Sequence, residues 1–244
     1  MKIPILYIPK TRFKKSILFE KKYFCSKEII PIGCDCHPAY TLQKLNIRKR
    51  SLPFDWLNTD SIKGVKFVCD NIGNNFSGFL TKLYKNERGY IVSEKFPYAE
   101  FMHEKNLISS EKDKTKFIRR ISKFLKLIKK DVYFLYNITS DSLISDETVK
   151  EFFNSVIQFQ SFLKQKQFLC VYIRYDETFD ENSKFCEKLL ELLNDLKNVN
   201  ATKYIREKEK EGIWGNEKKY TQLYRSLGIK IYLTFPKVTF VNFK

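Results

Sequence analysis

The sequence predicts an α/β protein with a mostly parallel β-sheet flanked by helices. Two short apolar runs, "VYFLY" at residues 132–136 and "FLCVYI" at residues 168–173, are typical of buried strands. Segments with apolar residues at helical spacing lie around them, so that strand and helix alternate from about residue 117 to residue 235. Such alternation indicates a parallel sheet covered by helices.

The first half of the chain contains fewer clear elements. Residues 1–28 are basic and irregular, and we interpret them as an arm or an added edge strand. "EIIPIG" at residues 28–33 predicts a strand that ends in a turn, although Pro31 fits poorly in a central strand. "PAYTLQKL" predicts a helix with Pro38 in its first turn, where a missing N–H group is harmless.

The next segment, "SLPFDWLNTD", predicts a loop, and "SIKGVKFVCDNI" predicts a helix capped by Thr59 or Asp60. Residues 73–112 show little periodicity, so short strands and loops are expected there.

The second half is more regular. Apolar residues at helical spacing mark four helices. They are Phe117, Ile118, Ile121, Phe124, Leu125 and Ile128; Val149, Phe152, Phe153, Val156, Ile157 and Leu163; Phe185, Leu189, Leu192, Leu193 and Leu196; and Tyr220, Leu223, Tyr224 and Leu227. "TKYI", "IKIYLTF" and "VTFVNF" predict further strands. Without repeats or a low-complexity linker, we expect residues 29–244 to form a single α/β domain behind the basic arm of residues 1–28.

Composition narrows the class of protein. A hydrophobic content of 43% with 16% aromatic residues excludes a disordered chain. The longest apolar runs are far shorter than the roughly 18–20 residues of a membrane span. The N-terminus lacks a long apolar region and a small-residue cleavage site, which predicts a cytoplasmic location. Six cysteines are too few for a disulfide scaffold, so free thiols are expected.

The formal net charge is +17, which is compatible with nucleic acid, a membrane surface or an acidic substrate as partner. Lysine outnumbers arginine 36 to 9, and Asn, Ile, Phe and Tyr are abundant. That composition is typical of AT-rich codon usage, whereas nucleic-acid readers favour arginine. Nucleic acid is therefore a possible but not a favoured partner.

The stretch "IGCDCHPAY" at residues 32–40 concentrates reactive side chains. A zinc site would need a second pair of ligands, and Cys25 and Cys69 are both isolated, so no metal or cofactor is expected. A cysteine after a strand is often a small buried residue. Cys36, just before Pro38, is alternatively placed for nucleophilic chemistry, because a helix N-terminus lowers the pKa of a thiol.

A cysteine nucleophile needs a base and a group that orients the base. His37 is adjacent to Cys36 and is expected to point away, so His103 is the better candidate base. The backbone N–H groups of Cys36 and His37 are candidate oxyanion donors.

Four further residues are candidates for orienting the base or binding substrate: Asp55, Trp56, Asn137 and Asp176. Asn137 and Asp176 follow predicted strands, and the carboxyl ends of parallel strands share one edge with Cys36. Polar residues after strands are also common turn formers. Asp55 and Trp56 could alternatively fix their own loop, but a site role is the favoured interpretation for Asp55.

Four segments carry a resemblance: "GCDCHPAYTL", "SLPFDW", "FMHE" and "FIRRISKFL". Over roughly residues 29–127 they resemble a bacterial family of unknown function described as papain-like cysteine peptidases. The family pattern is matched by Gly33, Cys36, Ala39, Leu42, Pro53, Phe54, Asp55, Trp56, His103 and Glu104. The resemblance implies Cys36 as nucleophile and His103 as base, with a papain-like α+β fold as the alternative architecture. It also implies an association with surface-polysaccharide genes.

Two hypotheses follow. In the first, the chain is a cysteine-dependent hydrolase or acyltransferase that acts on a peptide or on an acylated or anionic glycan. In the second, it is a non-catalytic protein whose basic face binds an anionic glycan, phosphate or nucleic acid. The residues of that face are Arg119, Arg120, Lys123 and Lys126.

Overall fold

The computed structural model of the chain describes residues 2–7, 14–176 and 182–243. In chain order its strands are β1 Lys2–Tyr7, β2 Lys14–Glu20, β3 Tyr23–Phe24, β4 Glu28–Pro31, β5 Asn58–Thr59, β6 Leu83–Lys85, β7 Ile91–Ser93, β8 Phe96–Phe101, β9 Val132–Thr139, β10 Phe168–Asp176, β11 Val199–Arg206, β12 Tyr232–Leu233 and β13 Lys237–Phe243. Its α-helices are α1 His37–Lys44, α2 Gly64–Gly73, α3 Glu111–Leu127, α4 Asp146–Gln160, α5 Ser183–Asn194, α6 Lys208–Glu211 and α7 Tyr220–Ser226.

A four-stranded parallel sheet forms the centre of the fold. Its order is β11-β10-β9-β4, and every neighbouring pair is parallel. β4 pairs only with β9, so Pro31 occupies an edge strand, where its missing N–H group removes no ladder bond. The Ile32 N–H group extends the pairing by donating to the Leu135 carbonyl at 2.9 Å. The predicted parallel sheet is thus present, with β4 at its edge.

Both faces of the parallel sheet are buried, as its continuous apolar runs require. On one face, Phe134 and Val171 belong to a large cluster that includes Phe152 of α4 and Leu189 of α5. On the other face, Leu135, Cys170 and Tyr172 pack with residues of α1 and α7, among them Leu42 and Tyr224. The sheet therefore lies between two layers of helices.

The remaining strands form antiparallel sheets. β5, β8, β7 and β6 form one sheet in that order. β6, β7 and β8 come from the weakly periodic region of residues 73–112, whereas β5 lies in "SLPFDWLNTD", the segment predicted as a loop. β1, β2 and β13 form another, in which Glu20 lies opposite Lys237, and β12 pairs with β3. The strands predicted at the end of the chain pair with its beginning and do not extend the parallel sheet.

Several local predictions about helices were wrong. Ile157 of α4 is 40% exposed, and Leu163 lies beyond the end of that helix. α2 begins at Gly64, its N-cap is Lys63, and no side chain caps it. Asp60 accepts hydrogen bonds from the N–H groups of Ile62 and Lys63 instead, so it stabilises the turn before the helix. On α3, Ile118 belongs to the predicted apolar face but is 59% exposed, because Phe117, Phe124 and Leu127 supply the buried face.

Among the described residues, no helix combines the length and apolarity required to cross a bilayer.

A Gly33→Ala substitution is expected to destabilise the protein by about 1–3 kcal/mol through overpacking. A Cβ atom at this position would overlap Asn137 Oδ1 and lie 2.5 Å from Pro38 Cγ. Urea unfolding provides the measurement. Gly73→Ala is the matched control, because a Cβ atom added there would meet nothing within 4 Å. Equal unfolding free energies for the two variants would contradict the prediction.

Candidate functional site

The loop of residues 33–36 connects β4 to α1 at the carboxyl edge of the parallel sheet. Its centre is the Asp35 carboxylate. Oδ2 lies 2.6 Å from Arg174 Nη1, and Oδ1 accepts hydrogen bonds from Asn137 Nδ2 and from the His37 N–H group, each at 2.9 Å. Burial by itself would raise the pKa of Asp35, but the charge of Arg174 and the hydrogen bonds from the His37 N–H group and Arg174 lower it below its usual value. Asp35 is therefore an ionised anchor at neutral pH.

His37 is fully buried and neutral. Its Nδ1 lies 2.6 Å from the Tyr172 hydroxyl, and its Nε2 lies 2.9 Å from the Trp214 carbonyl oxygen. A carbonyl only accepts, so Nε2 carries the proton and Nδ1 accepts from Tyr172. Burial, reinforced by the charge of Arg174, lowers the pKa of His37 to about 4. Through these two hydrogen bonds, the His37 ring connects α1 with β10 and with the segment that ends at Trp214.

The contacts of His37 correct one prediction about this loop. Its backbone N–H group is already bound to the Asp35 carboxylate, so it is not a free oxyanion donor. Both of its ring nitrogens are also engaged, which excludes His37 as the base. The sequence predicted that the His37 side chain points away from Cys36, and its burial agrees with that prediction.

Cys36 is the N-cap residue of α1 and makes no side-chain capping bond. All six cysteines lie in the described part of the chain, and Cys36 alone is not buried. Burial and then the Asp35 carboxylate raise the pKa of its thiol to about 11. The predicted lowering by the helix N-terminus was therefore wrong, since the nearby negative charge and partial burial outweigh it.

Cys34, two positions earlier, has a structural role. Its thiol is buried and accepts a hydrogen bond from Ser61 Oγ at 3.3 Å, while its carbonyl accepts from the Thr59 N–H group at 2.6 Å. Among the described residues, no three His, Cys, Asp or Glu side chains converge as a metal ion would require.

The "PFDW" loop forms a second cluster. The buried Asp55 carboxylate pairs with Arg48 and accepts the Leu52 N–H group at 2.9 Å. Burial raises the pKa of Asp55. The Arg48 guanidinium lies 5.2 Å from the Trp56 ring, which in turn meets the His103 ring edge-on at 5.9 Å. Asp55 thus fixes its own loop, and Trp56 supports His103.

The structure brings together only some of the predicted site residues. Asn137 lies within β9 and binds Asp35, whereas Asp176 ends β10 and forms a buried ion pair with Arg206. No hydrogen bond from Asp55 or Asn137 reaches His103, and none joins Cys36 to His103, within the residues described. The exposed His103 lies in the turn after β8.

The predicted basic face on α3 is partly occupied. Arg119, Lys123 and Lys126 are exposed on the helix, but Arg120 pairs with Glu104 at 3.3 Å.

Sequence reasoning missed Asp35 and Arg174. The signal for Arg174 was an arginine inside the apolar strand "VYIRY", because a buried charge requires an ionic partner. The signal for Asp35 was a carboxylate between two cysteines at the end of a strand. Neither pattern indicates which residue pairs with which.

A family model described as "Putative papain-like cysteine peptidase (DUF1796)" matches residues 27–206, more than half of the chain. The chain belongs to this family. The matched range contains the Asp35 cluster, Cys36, the "PFDW" loop and His103. It extends well beyond the residues that carried the sequence resemblance, to the end of the parallel sheet at β11.

The chain is also similar to an uncharacterised protein of Acanthamoeba polyphaga mimivirus. The two are 27% identical over 160 residues, which cover 54% of this chain and 71% of the relative. This relative is a viral protein, whereas the sequence resemblance was to a bacterial family. No solved structure matches the chain significantly.

His37 is expected to make the unfolding free energy fall as the pH decreases from about 6.5 to about 4. In this window the unfolded histidine binds a proton and the buried one does not, so acid favours unfolding. The contribution is up to about 3 kcal/mol. Denaturant unfolding across this range would test it. His37→Gln is expected to flatten the slope, whereas a slope equal to that of the control His103→Gln would contradict the assignment.

Replacing the charges around Cys36 is expected to change its reactivity in opposite directions. Asp35→Asn removes a negative charge and is expected to lower the pKa of the thiol, whereas Arg174→Gln removes a positive charge and is expected to raise it further. Iodoacetamide alkylation rates between pH 7 and pH 10, with the site located by mass spectrometry, would measure both. Faster alkylation in both variants would indicate general loosening and not an electrostatic effect.

Proposed function

We propose that this chain is a cysteine-dependent acyl hydrolase or acyltransferase, with Cys36 as nucleophile and His103 as general base. The observation that carries the proposal is the position of Cys36. Five cysteines are buried, and this one is partly exposed at the start of α1, on the sheet edge where α/β proteins place their active groups. The family description supports the same general kind of chemistry.

The raised pKa of Cys36 determines how the proton would move. With a pKa of about 11, only about one thiol in ten thousand is ionised at pH 7. The attack is therefore assisted by a base, as in serine enzymes, and does not start from a resting thiolate. Sγ forms a bond to the acyl carbon while His103 takes the thiol proton.

The remaining steps of the reaction need no reactant besides the acceptor of the acyl group. The Cys36 N–H group makes no backbone–backbone hydrogen bond among the described residues and interacts only with its own thiol, so it is free to donate to the developing oxyanion. The bond to the leaving group then breaks, and His103 returns the proton to it. Water, or a hydroxyl of an acceptor, then attacks the thioester carbonyl while His103 takes its proton. The bond between the acyl carbon and Sγ breaks, the acyl group stays on the attacking oxygen, and His103 returns the proton to Cys36.

Two observations support His103 as the base. The chain has two histidines, and the hydrogen bonds of His37 exclude His37 as the base. His103 is exposed and contacts the Trp56 ring. Trp56 begins a short segment whose other end is hydrogen-bonded to Cys34, through the Thr59 N–H group and Ser61 Oγ. The proposal requires substrate binding or loop closure to bring His103 into hydrogen-bond range of the thiol, because they do not touch at rest.

The substrate is proposed only by class: a peptide or an acylated glycan, each of which presents a carbonyl to the thiol. An association with surface-polysaccharide synthesis would favour the glycan.

The test is acylation of Cys36 by p-nitrophenyl acetate and by a peptide thioester. Release of the leaving group measures the acylation rate, and mass spectrometry identifies the acylated residue. The wild type is expected to form a Cys36 thioester. His103→Ala is expected to slow acylation by at least about 100-fold, the usual contribution of a general base. Lys105→Ala, an exposed neighbour, is the matched control and is expected to match the wild type. Equal acylation rates in the two variants would exclude His103 as base, and acylation of Cys36→Ser at wild-type rate would exclude Cys36.

A further inference from the structure

A cavity of about 580 Å³ lies beside the "PFDW" loop, between β3, the segment that follows α1, and the start of β13. This volume falls within the range of sites for small organic ligands, about 300–1,000 Å³. Cys36 and His103 are not among its lining residues, so it is distinct from the proposed nucleophile and base.

The lining is cationic. Within the described part of the chain no carboxylate lines the cavity, and five basic side chains do: Lys22, Arg48, Lys49, Arg50 and Lys237. A concave surface with one sign of charge concentrates ligands of the opposite sign.

Three of these cations are held in place by acids outside the lining. Arg48 pairs with Asp55, Arg50 with Glu28 at 2.8 Å, and Lys237 with Glu20 at 3.5 Å. Their charges are therefore largely balanced, and the mostly buried Arg48 is fixed in orientation by the fully buried Asp55 side chain.

The other two cations are not balanced. Lys22 and Lys49 are both exposed, and neither forms an ion pair within the described residues. They leave the cavity with two uncompensated positive charges. That number matches a dianion such as a phosphate monoester near neutral pH, which presents several strong acceptor oxygens.

The rest of the lining suits the non-phosphate part of such a ligand. Tyr23 and the half-exposed Phe24 provide aromatic surface, on which a sugar or a nucleobase ring can pack. Gln43 and Ser51 provide amide and hydroxyl groups for hydrogen bonds to ring substituents.

We propose that this cavity binds a small phosphate ester that carries a ring, with Lys22 and Lys49 neutralising the phosphate. Arg48 links the cavity to the Asp55 carboxylate and the Trp56 ring, so the ligand would lie next to the loop that supports His103. The binding itself does not depend on the proposed catalytic function.

The test is isothermal titration of the full chain with inorganic phosphate, glucose 1-phosphate and AMP, at fixed ionic strength. At least one ester is expected to bind more tightly than inorganic phosphate, and whichever ester binds more tightly identifies the ring as a sugar or a nucleoside. The double variant Lys22→Gln/Lys49→Gln is expected to weaken that ester at least tenfold. Both side chains are exposed, so the fold is expected to tolerate their replacement.

The matched control is Lys150→Gln/Lys197→Gln, which removes the same charge from exposed positions outside the cavity lining and outside α3. It is expected to leave the affinity within twofold of the wild type. Equal weakening by both double variants would show a non-specific charge effect and overturn the proposal. Binding of inorganic phosphate as tightly as either ester, or no binding of any ligand at millimolar concentration, would also overturn it.

Discussion

The mostly buried Asp35 carboxylate is the constraint around which the site is built. A charge removed from water must be paired and hydrogen-bonded, and Asp35 draws its partners from β9, β10 and the first turn of α1. Gly33 allows this convergence, since any larger residue would collide with Asn137 and Pro38. The position of α1, and with it the partial exposure of Cys36, depends on this one anion.

The same anion determines the electrostatics of the thiol. A helix N-terminus alone would favour a thiolate, but a carboxylate one residue away and partial burial favour the neutral thiol. The resting site therefore differs from a preformed thiolate–imidazolium pair. In the proposed mechanism the thiol loses its proton only as it attacks, which ties its reactivity to the arrival of substrate and base.

His37 shows how a reactive-looking side chain can be structural. Its position next to a candidate nucleophile suggests a base. The ring is instead buried between Tyr172 and the Trp214 carbonyl, and its neutral form makes a hydrogen bond with each of them. His37 is thus used in packing, and the exposed His103 is the base only in the proposed mechanism. The basic cavity lined by Arg48 contains neither histidine in its lining and is a separate surface with its own charge.

The sequence by itself determined the elements whose patterns are local. The apolar runs gave β9 and β10, helical spacing gave α3, α4 and α5, and the proline turn placed Cys36 at the start of α1. Only the tertiary structure decided which distant groups meet: Tyr172 with His37 across 135 residues, Arg174 with Asp35, and β13 with β2. It also reversed the expected direction of the pKa shift of Cys36. The physical reason is that burial and charge pairing depend on neighbours brought together by folding, whereas periodicity and capping depend on residues a few positions apart.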